Sequence, residues 1–166
     1  MSRRIEENNG KTPHPHIKRL GREFAMQYLF SCDMAGDDKL LFATFAEQTA
    51  DQMEMTLDRY FRKGCAYAEQ LIDGVRANLA QIDETIKKHS DNWDWERLSL
   101  VDRNVMRVAV YEMLFVADVP PIVSINEAVE IAMDFSGEKG GVYINGVLNG
   151  IKNSLTRPAR EAVESL

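Results

Sequence analysis

Few side chains in this chain of 166 residues have the types and spacings that perform covalent or metal chemistry. Cys32 and Cys65 show no CxxC spacing and have no histidine nearby at metal-ligand spacing, so they read as the reduced thiols of a cytosolic protein. His14 and His16 could clip a metal ion. No further ligand stands near them, however, and a solvated tail accounts for the pair more simply. His89 falls at a helix end. No Walker-type loop, dinucleotide fingerprint, zincin helix or nucleophile elbow occurs. Gly137, Gly140 and Gly141 cluster, but without the preceding strand that a phosphate-binding loop needs. The carboxylates fall mostly at helix starts or at ion-pair spacing. These residues predict no catalysis, no cofactor and no metal site.

The chain does carry charge that is concentrated at one end. Residues 1–22 hold six basic side chains against two acidic ones, and the remainder holds fourteen basic against twenty-four acidic. Ile17, Leu20, Phe24 and Tyr28 form an apolar helical stripe, and Lys18, Arg19 and Arg22 fall off it. These three cations are therefore expected to reach solvent together, where they could neutralise phosphates. Charge alone fits a solvated face equally well. The net charge of −6 excludes a wholly basic nucleic-acid coat. The longest apolar runs, such as Met113 to Ala117, fall far short of the roughly 18 residues that span a bilayer. The start, Met1 to Glu7, lacks the apolar stretch of a secretory signal. A cytoplasmic protein with no membrane contact is expected.

The elements that position these residues read as helices throughout. Residues 1–15, with Asn8-Asn9-Gly10, Pro13 and Pro15, are expected to be a disordered basic tail. The first helix runs from Ile17 to the Met34-Ala35-Gly36 stop, and Gly21 inside it marks a close backbone approach or a tolerated cost. A second helix starts near Asp38 with Leu41, Phe42 and Phe45, and residues 46–62 read as a mostly exposed connection. One long helix carries Cys65, Ala68, Leu71, Ile72, Val75, Leu79, Ile82 and Ile86 on one face, with Asp83–Lys87 and Glu84–Lys88 as i,i+4 pairs. Cys65 lies on its apolar face and is expected to pack.

Ser99 to Asp102 reads as a capping box opening a helix so rich in apolar residues, from Val101 to Phe115, that it must be buried on most sides. Asp118-Val119-Pro120-Pro121 ends it. Ser124 to Glu127 reads as a second capping box, 136–141 as a flexible connection, and a last helix carries Ile144, Val147, Leu148, Ile151 and Leu155. Gly146 and Gly150 suggest close helix packing. The fold class is all-α, a bundle of about seven helices in two subdomains, with a folded domain over 16–157 and a C-terminal tail over 158–166.

Four blocks of this sequence resemble the NusB family of bacterial transcription antitermination factors. Arg22-Glu23-Phe24-Ala25-Met26-Gln27-Tyr28-Leu29-Phe30 is similar to the family's opening R-E-x-A-x-Q-x-L-Y. Asp102 to Glu112 resembles its central helix. Asp118-Val119-Pro120-Pro121 and Ile125 to Ala132 resemble its D-V-P-x-x-x-x-I-N-E-A-x-E-x-A signature, and Tyr143-Ile144-Asn145-Gly146-Val147-Leu148 its F-V-N-G-V-L. Any one block is weak, but the four hold their order and spacing from about residue 18 to 155.

The resemblance implies a non-enzymatic factor. It would pair with NusE, a ribosomal protein of the small subunit, bind boxA-like RNA in nascent ribosomal RNA and act on the transcription elongation complex. It implies RNA contacts at Lys18, Arg19, Arg22, Tyr143 and Asn145, and NusE contacts at Phe30, Met34 and Asp102. Asp102 also suits its own helix start, where it would interact favourably with the helix dipole. Two departures remove positive charge: Leu20 stands where the family often has arginine, and Val142 where lysine is common. The alternative is a homodimeric interaction module whose RNA surface is masked. NusB-like domains also occur fused to RNA methyltransferases; a chain of this length is expected to be the separate factor.

Overall fold

The computed structural model describes residues 14–90 and 95–166, with side chains from Ile17 onward. Residues 1–13 of the expected disordered tail, the side chains of His14 and His16, and Trp93 lie outside the described residues, whereas residues 14 and 15, also expected in that tail, belong to the first helix. The order is α1 (His14–Ala35), α2 (Phe42–Gln52), α3 (Arg59–Ala77), α4 (Leu79–Lys88), a 3-10 turn (Trp95–Arg97), α5 (Leu100–Phe115), α6 (Pro121–Phe135) and α7 (Glu138–Ser154). The described residues thus form seven α-helices and no strand, as the helical periodicities predict. α1 packs along α3, α6 along α7, and α5 runs between them, touching α1, α3, α4, α6 and α7. Phe24, Leu71, Met106, Ile125 and Ile144 bury their side chains where these helices meet.

Several boundaries differ from those expected, each for a local reason. α1 begins at His14, three residues before Ile17. The second helix starts at Phe42 and reaches Gln52, so much of the expected connection is helical and buries Ala46, Thr49 and Ala50. The long third helix is two helices. At Asn78 the side-chain Nδ2 donates to the Gly74 carbonyl at 2.8 Å, which ends α3 and lets α4 start at Leu79. A short amide competing for the backbone is what breaks the ladder, and apolar periodicity cannot register it. Asp83 does not pair with Lys87; it takes the Arg107 guanidinium at 2.7 and 2.8 Å, while Lys87 lies over the Trp95 ring.

The Ser99 cap forms, its Oγ accepting from Asp102 N–H at 3.0 Å. The Ser124 cap does not. α6 begins at Pro121, because proline at the first helical position needs no N–H partner and brings its φ already set. Ser124 therefore sits inside the helix and is buried. The expected flexible stretch 136–141 shrinks to Ser136-Gly137, where Gly137 takes φ 92° and α7 starts at once. Gly21 does mark a close approach: a Cβ there would stand 2.7 Å from Tyr67 Cδ1 and 3.0 Å from the Gly64 carbonyl. Gly146 does not, since a Cβ there would meet open space.

The packing of α1, α3 and α5 encloses a charge pair. Arg22 Nε donates to both Glu112 carboxylate oxygens, at 2.9 and 3.0 Å, and the Tyr67 hydroxyl donates to Glu112 as well. The side chains of Arg22 and Glu112 are 4% and 0% exposed. Burial opposes the Arg22 charge, but Glu112 outweighs it and holds the guanidinium above its ordinary pKa. Burial, reinforced by Glu112, pushes the Tyr67 hydroxyl up, so it stays a donor.

At the other end of α5, Arg157 donates to the carbonyls of Met113, Val116, Ala117 and Val119 at 2.8–3.1 Å. Burial holds its pKa below the usual arginine value. Two backbone bonds, Ile122 N–H to Ala159 O and Val163 N–H to Ala117 O, both 2.9 Å, dock the segment after α7 on the first turn of α6 and on the loop before it.

Two stability outcomes follow. Arg22→Ala leaves Glu112 charged and buried without its counterion, and should cost about 3–5 kcal/mol in chemical denaturation; a loss below about 1 kcal/mol would show that the pair is solvated. Arg157→Ala strands helix-end carbonyls and should cost about 2 kcal/mol. That is a fall of about 4–8 °C in Tm for a chain of this size, and an unchanged melt would mean that the docked segment contributes nothing.

Candidate nucleic-acid and protein interface

The first turns of α1 carry the cations expected to meet RNA, and the fold treats the three differently. Lys18 is the most open of them: its side chain is 28% exposed, its Nζ lies 3.3 Å from Asp118 Oδ2, and it stands 5.4 Å from the Tyr67 ring centroid. Arg19 reaches the surface among carboxylates. It bonds Glu23 at 2.8 Å, Glu127 at 3.2 Å, Glu130 at 2.7 Å and Asp134 at 3.2 Å. Glu127, Glu130 and Asp134 share one face of α6 by their helical spacing. Burial opposes the Arg19 charge, but these carboxylates, Glu23 first, raise its pKa above the ordinary value.

Arg22 corrects the expectation that all three cations reach solvent together. It points inward to Glu112, because its position faces α5 and α3 once α1 is packed. An RNA phosphate has no access to it. Leu20, one of the two departures in charge, is buried and packs on Gly64, so its loss of charge serves the contact between α1 and α3. Val142, the other, is 71% exposed.

Tyr143 and Asn145 lie in the second turn of α7 rather than at its first residue. Tyr143 is half-buried against the core. Asn145 is exposed and accepts from Asn149 Nδ2 through its carbonyl and its Oδ1 at 2.8 and 2.9 Å. Asp102 lies across from them. Its carboxylate does not return to its own cap; it accepts from Ser136 Oγ at 2.6 Å, tying the start of α5 to the link between α6 and α7. Asp102 and Tyr143 line one cleft of about 700 Å³ with Arg97, Leu98, Lys139 and Val142. Residues assigned to two different partners thus share a surface.

Phe30 and Met34 occupy the last turns of α1. Phe30 packs against the core, whereas Met34 is 64% exposed. Between them Asp33 accepts from Asn104 at 2.9 Å and from Arg107 at 3.0 Å, which fixes the end of α1 against α5. Asp37 and Asp38 follow Met34 on the exposed turn, so the apolar side chain is bordered by acid.

Sequence reasoning did not find Glu112, Tyr67, Asp33 or Arg107 as organising residues. The available signal was charge inside an apolar helix: Arg107 and Glu112 sit in the stretch already expected to be buried, and a buried charge must find a partner. The partners, on α1, α3 and α4, had no such signal. Cys65 packs against the core, and burial, with Glu69 nearby, pushes its thiol up to about 11. His89 uses Nδ1 on the Thr85 carbonyl at 2.9 Å, and no cluster of three or more metal-ligating side chains occurs among the described residues. Nor is any described helix long and apolar enough to cross a membrane.

With this geometry in place, likeness to known proteins becomes informative. The NusB family profile matches residues 19–153. The transcription antitermination protein NusB of Bacillus licheniformis is 39% identical over 138 residues, 83% of this chain and 98% of that protein. A solved structure of T. maritima NusB superposes with a TM-score of 0.69 at 32% identity, over 89% of this chain and 96% of that one. A structure of the antitermination factors NusB and NusE in complex with dsRNA superposes with a TM-score of 0.67 over 84% of this chain and 98% of that one. At its 24% identity that likeness is one of fold. The chain belongs to the NusB family, which is one of transcription antitermination factors and not of enzymes.

Proposed function

We propose that this chain is a cytoplasmic antitermination factor that pairs with NusE, binds boxA-like RNA in nascent ribosomal transcripts and joins the transcription elongation complex. The observation that carries this reading is identity of about 40% to antitermination proteins over nearly their whole length. The solved NusB–NusE–dsRNA complex of the same fold supports it.

RNA would lie across the start of α1 and the second turn of α7. Lys18 supplies a phosphate contact, because a single exposed carboxylate holds it. Arg19 reaches a phosphate only by giving up carboxylate partners. Four acids around one cation make the local field negative, which weakens RNA binding by this chain alone and leaves room for the partner to supply affinity. Tyr143 offers a half-exposed ring for stacking, and Asn145 an exposed amide for a base edge or phosphate. NusE would contact Met34, Phe30 and Asp102. Exposed methionine beside Asp37 and Asp38 suits a basic, partly apolar partner.

Filter binding to boxA RNA across a salt series, with NusE present, tests the RNA side. Changing Lys18 and Arg19 to Ala should lower the salt slope by about 0.7–0.9 for each phosphate that is no longer neutralised. Tyr143→Ala should weaken binding by about 1–3 kcal/mol without altering the slope. Unchanged affinity and slope in both variants would move the RNA surface elsewhere.

Calorimetric titration with NusE tests the protein side. Asp102→Asn should cost about 2 kcal/mol or more of binding if the carboxylate is desolvated against a basic group. An unchanged Kd beside a slightly lower Tm would leave Asp102 as the acceptor of Ser136 alone. Sizing of the free chain and of the chain with boxA RNA distinguishes this reading from a homodimer with a masked RNA face.

A further inference from the structure

Arg22, expected at the RNA surface, and Ser124, expected as a helix cap, meet in the interior. The Arg22 side chain is 4% exposed and Ser124 is 1% exposed. Nε of Arg22 is used on Glu112, and Nη1 points toward Glu127 at 3.7 Å. Nη2 of Arg22 and Oγ of Ser124 have no hydrogen-bond partner among the described residues. Both residues line one cavity between α1, α5 and α6, together with Glu112 and apolar side chains such as Val105, Ala109 and Ala128. Its free volume, measured as room for the centre of a water molecule, is about 10 Å³. Room for a water's centre is room for a water, whose own sphere occupies about 10–15 Å³, so the cavity admits one.

We propose that this cavity is a binding site for a single water molecule, which accepts from Arg22 Nη2 and hydrogen-bonds the Ser124 hydroxyl. The chemistry selects the ligand. A metal cation is repelled by the guanidinium, a polyatomic anion is too large and would face the Glu112 carboxylate, and an apolar group would leave both polar atoms unsatisfied. Water both donates and accepts, and buried waters make two to four such bonds. The bound water joins α6 to the pair that holds α1 and α5, and it gives Ser124 the partner that its place inside the helix denies it at the helix end.

The test uses the full chain. Water-to-protein Overhauser spectra should show a long-lived water at the methyl groups of Ala109 and Ala128. A crystal structure at a resolution that shows ordered solvent should place one peak within hydrogen-bond distance of Arg22 Nη2 and Ser124 Oγ. In Ser124→Val, which removes the hydroxyl and fills the space, both signals should disappear. No water in the wild-type protein by either method overturns the proposal, as does an unchanged water signal in the folded Ser124→Val protein. If that variant does not fold, the wild-type crystal structure decides alone.

Discussion

Arg22 and Glu112 face each other with almost no exposure to water, and much of the architecture follows from having to keep them together. A charge moved out of water carries a penalty of several kcal/mol, recovered only by a close, well-bonded partner. α1 and α5 must therefore hold one register, and α3 must come close enough for Tyr67 to reach the same carboxylate. That closeness depends on residues without side chains. Gly21 lets the Tyr67 ring lie against α1, and Gly64 leaves room for Leu20. Gly74 gives α3 a matching passage beside the Tyr111 ring of α5.

The same economy of charge shapes the surface. Arg19 is ringed by Glu23, Glu127, Glu130 and Asp134, and Arg107 by Asp33 and Asp83. Arg103 lies over Trp95 and donates to its carbonyl at 2.6 Å. These guanidinium groups are committed to holding helices together. Cationic residues in a sequence are thus a poor count of cations free to meet phosphate; in the described part of the basic end, Lys18 is the least committed.

The family match ends at residue 153, and the segment beyond it also serves the fold. Beyond α5 the chain reaches two prolines within a few residues, and its backbone caps only part of the helix end: Val116 N–H donates to the Glu112 carbonyl and Val119 N–H to the Val116 carbonyl. Arg157 supplies the donors from outside the helix, and the backbone bonds at Ala159 and Val163 hold the segment that carries it. The stretch 158–166, which reads as a C-terminal tail in sequence, thus anchors the segment from which Arg157 caps α5.

The sequence by itself determined the helical class, the burial of α5, the Ser99 cap and the stop after Ala35, because these depend on apolar period, capping residues and glycine within a few positions. The motif order also determined the family, since four blocks in register over most of the chain are specific. It did not determine where α3 ends, because an Asn78 side chain competing for Gly74 leaves the apolar stripe unbroken. Nor did it determine the start of α6, where two signals, Pro121 and Ser124, stood three residues apart. The role of each N-terminal cation was decided by tertiary structure alone. Lys18, Arg19 and Arg22 all lie off one stripe, but a helix touched on two sides has more than one buried face. Only the positions of α3, α5 and α6 decide that Arg22 meets Glu112, that Arg19 meets acids and that Lys18 stays near water. Such partners are separated by up to 115 residues, and periodicity within one helix carries no information about them.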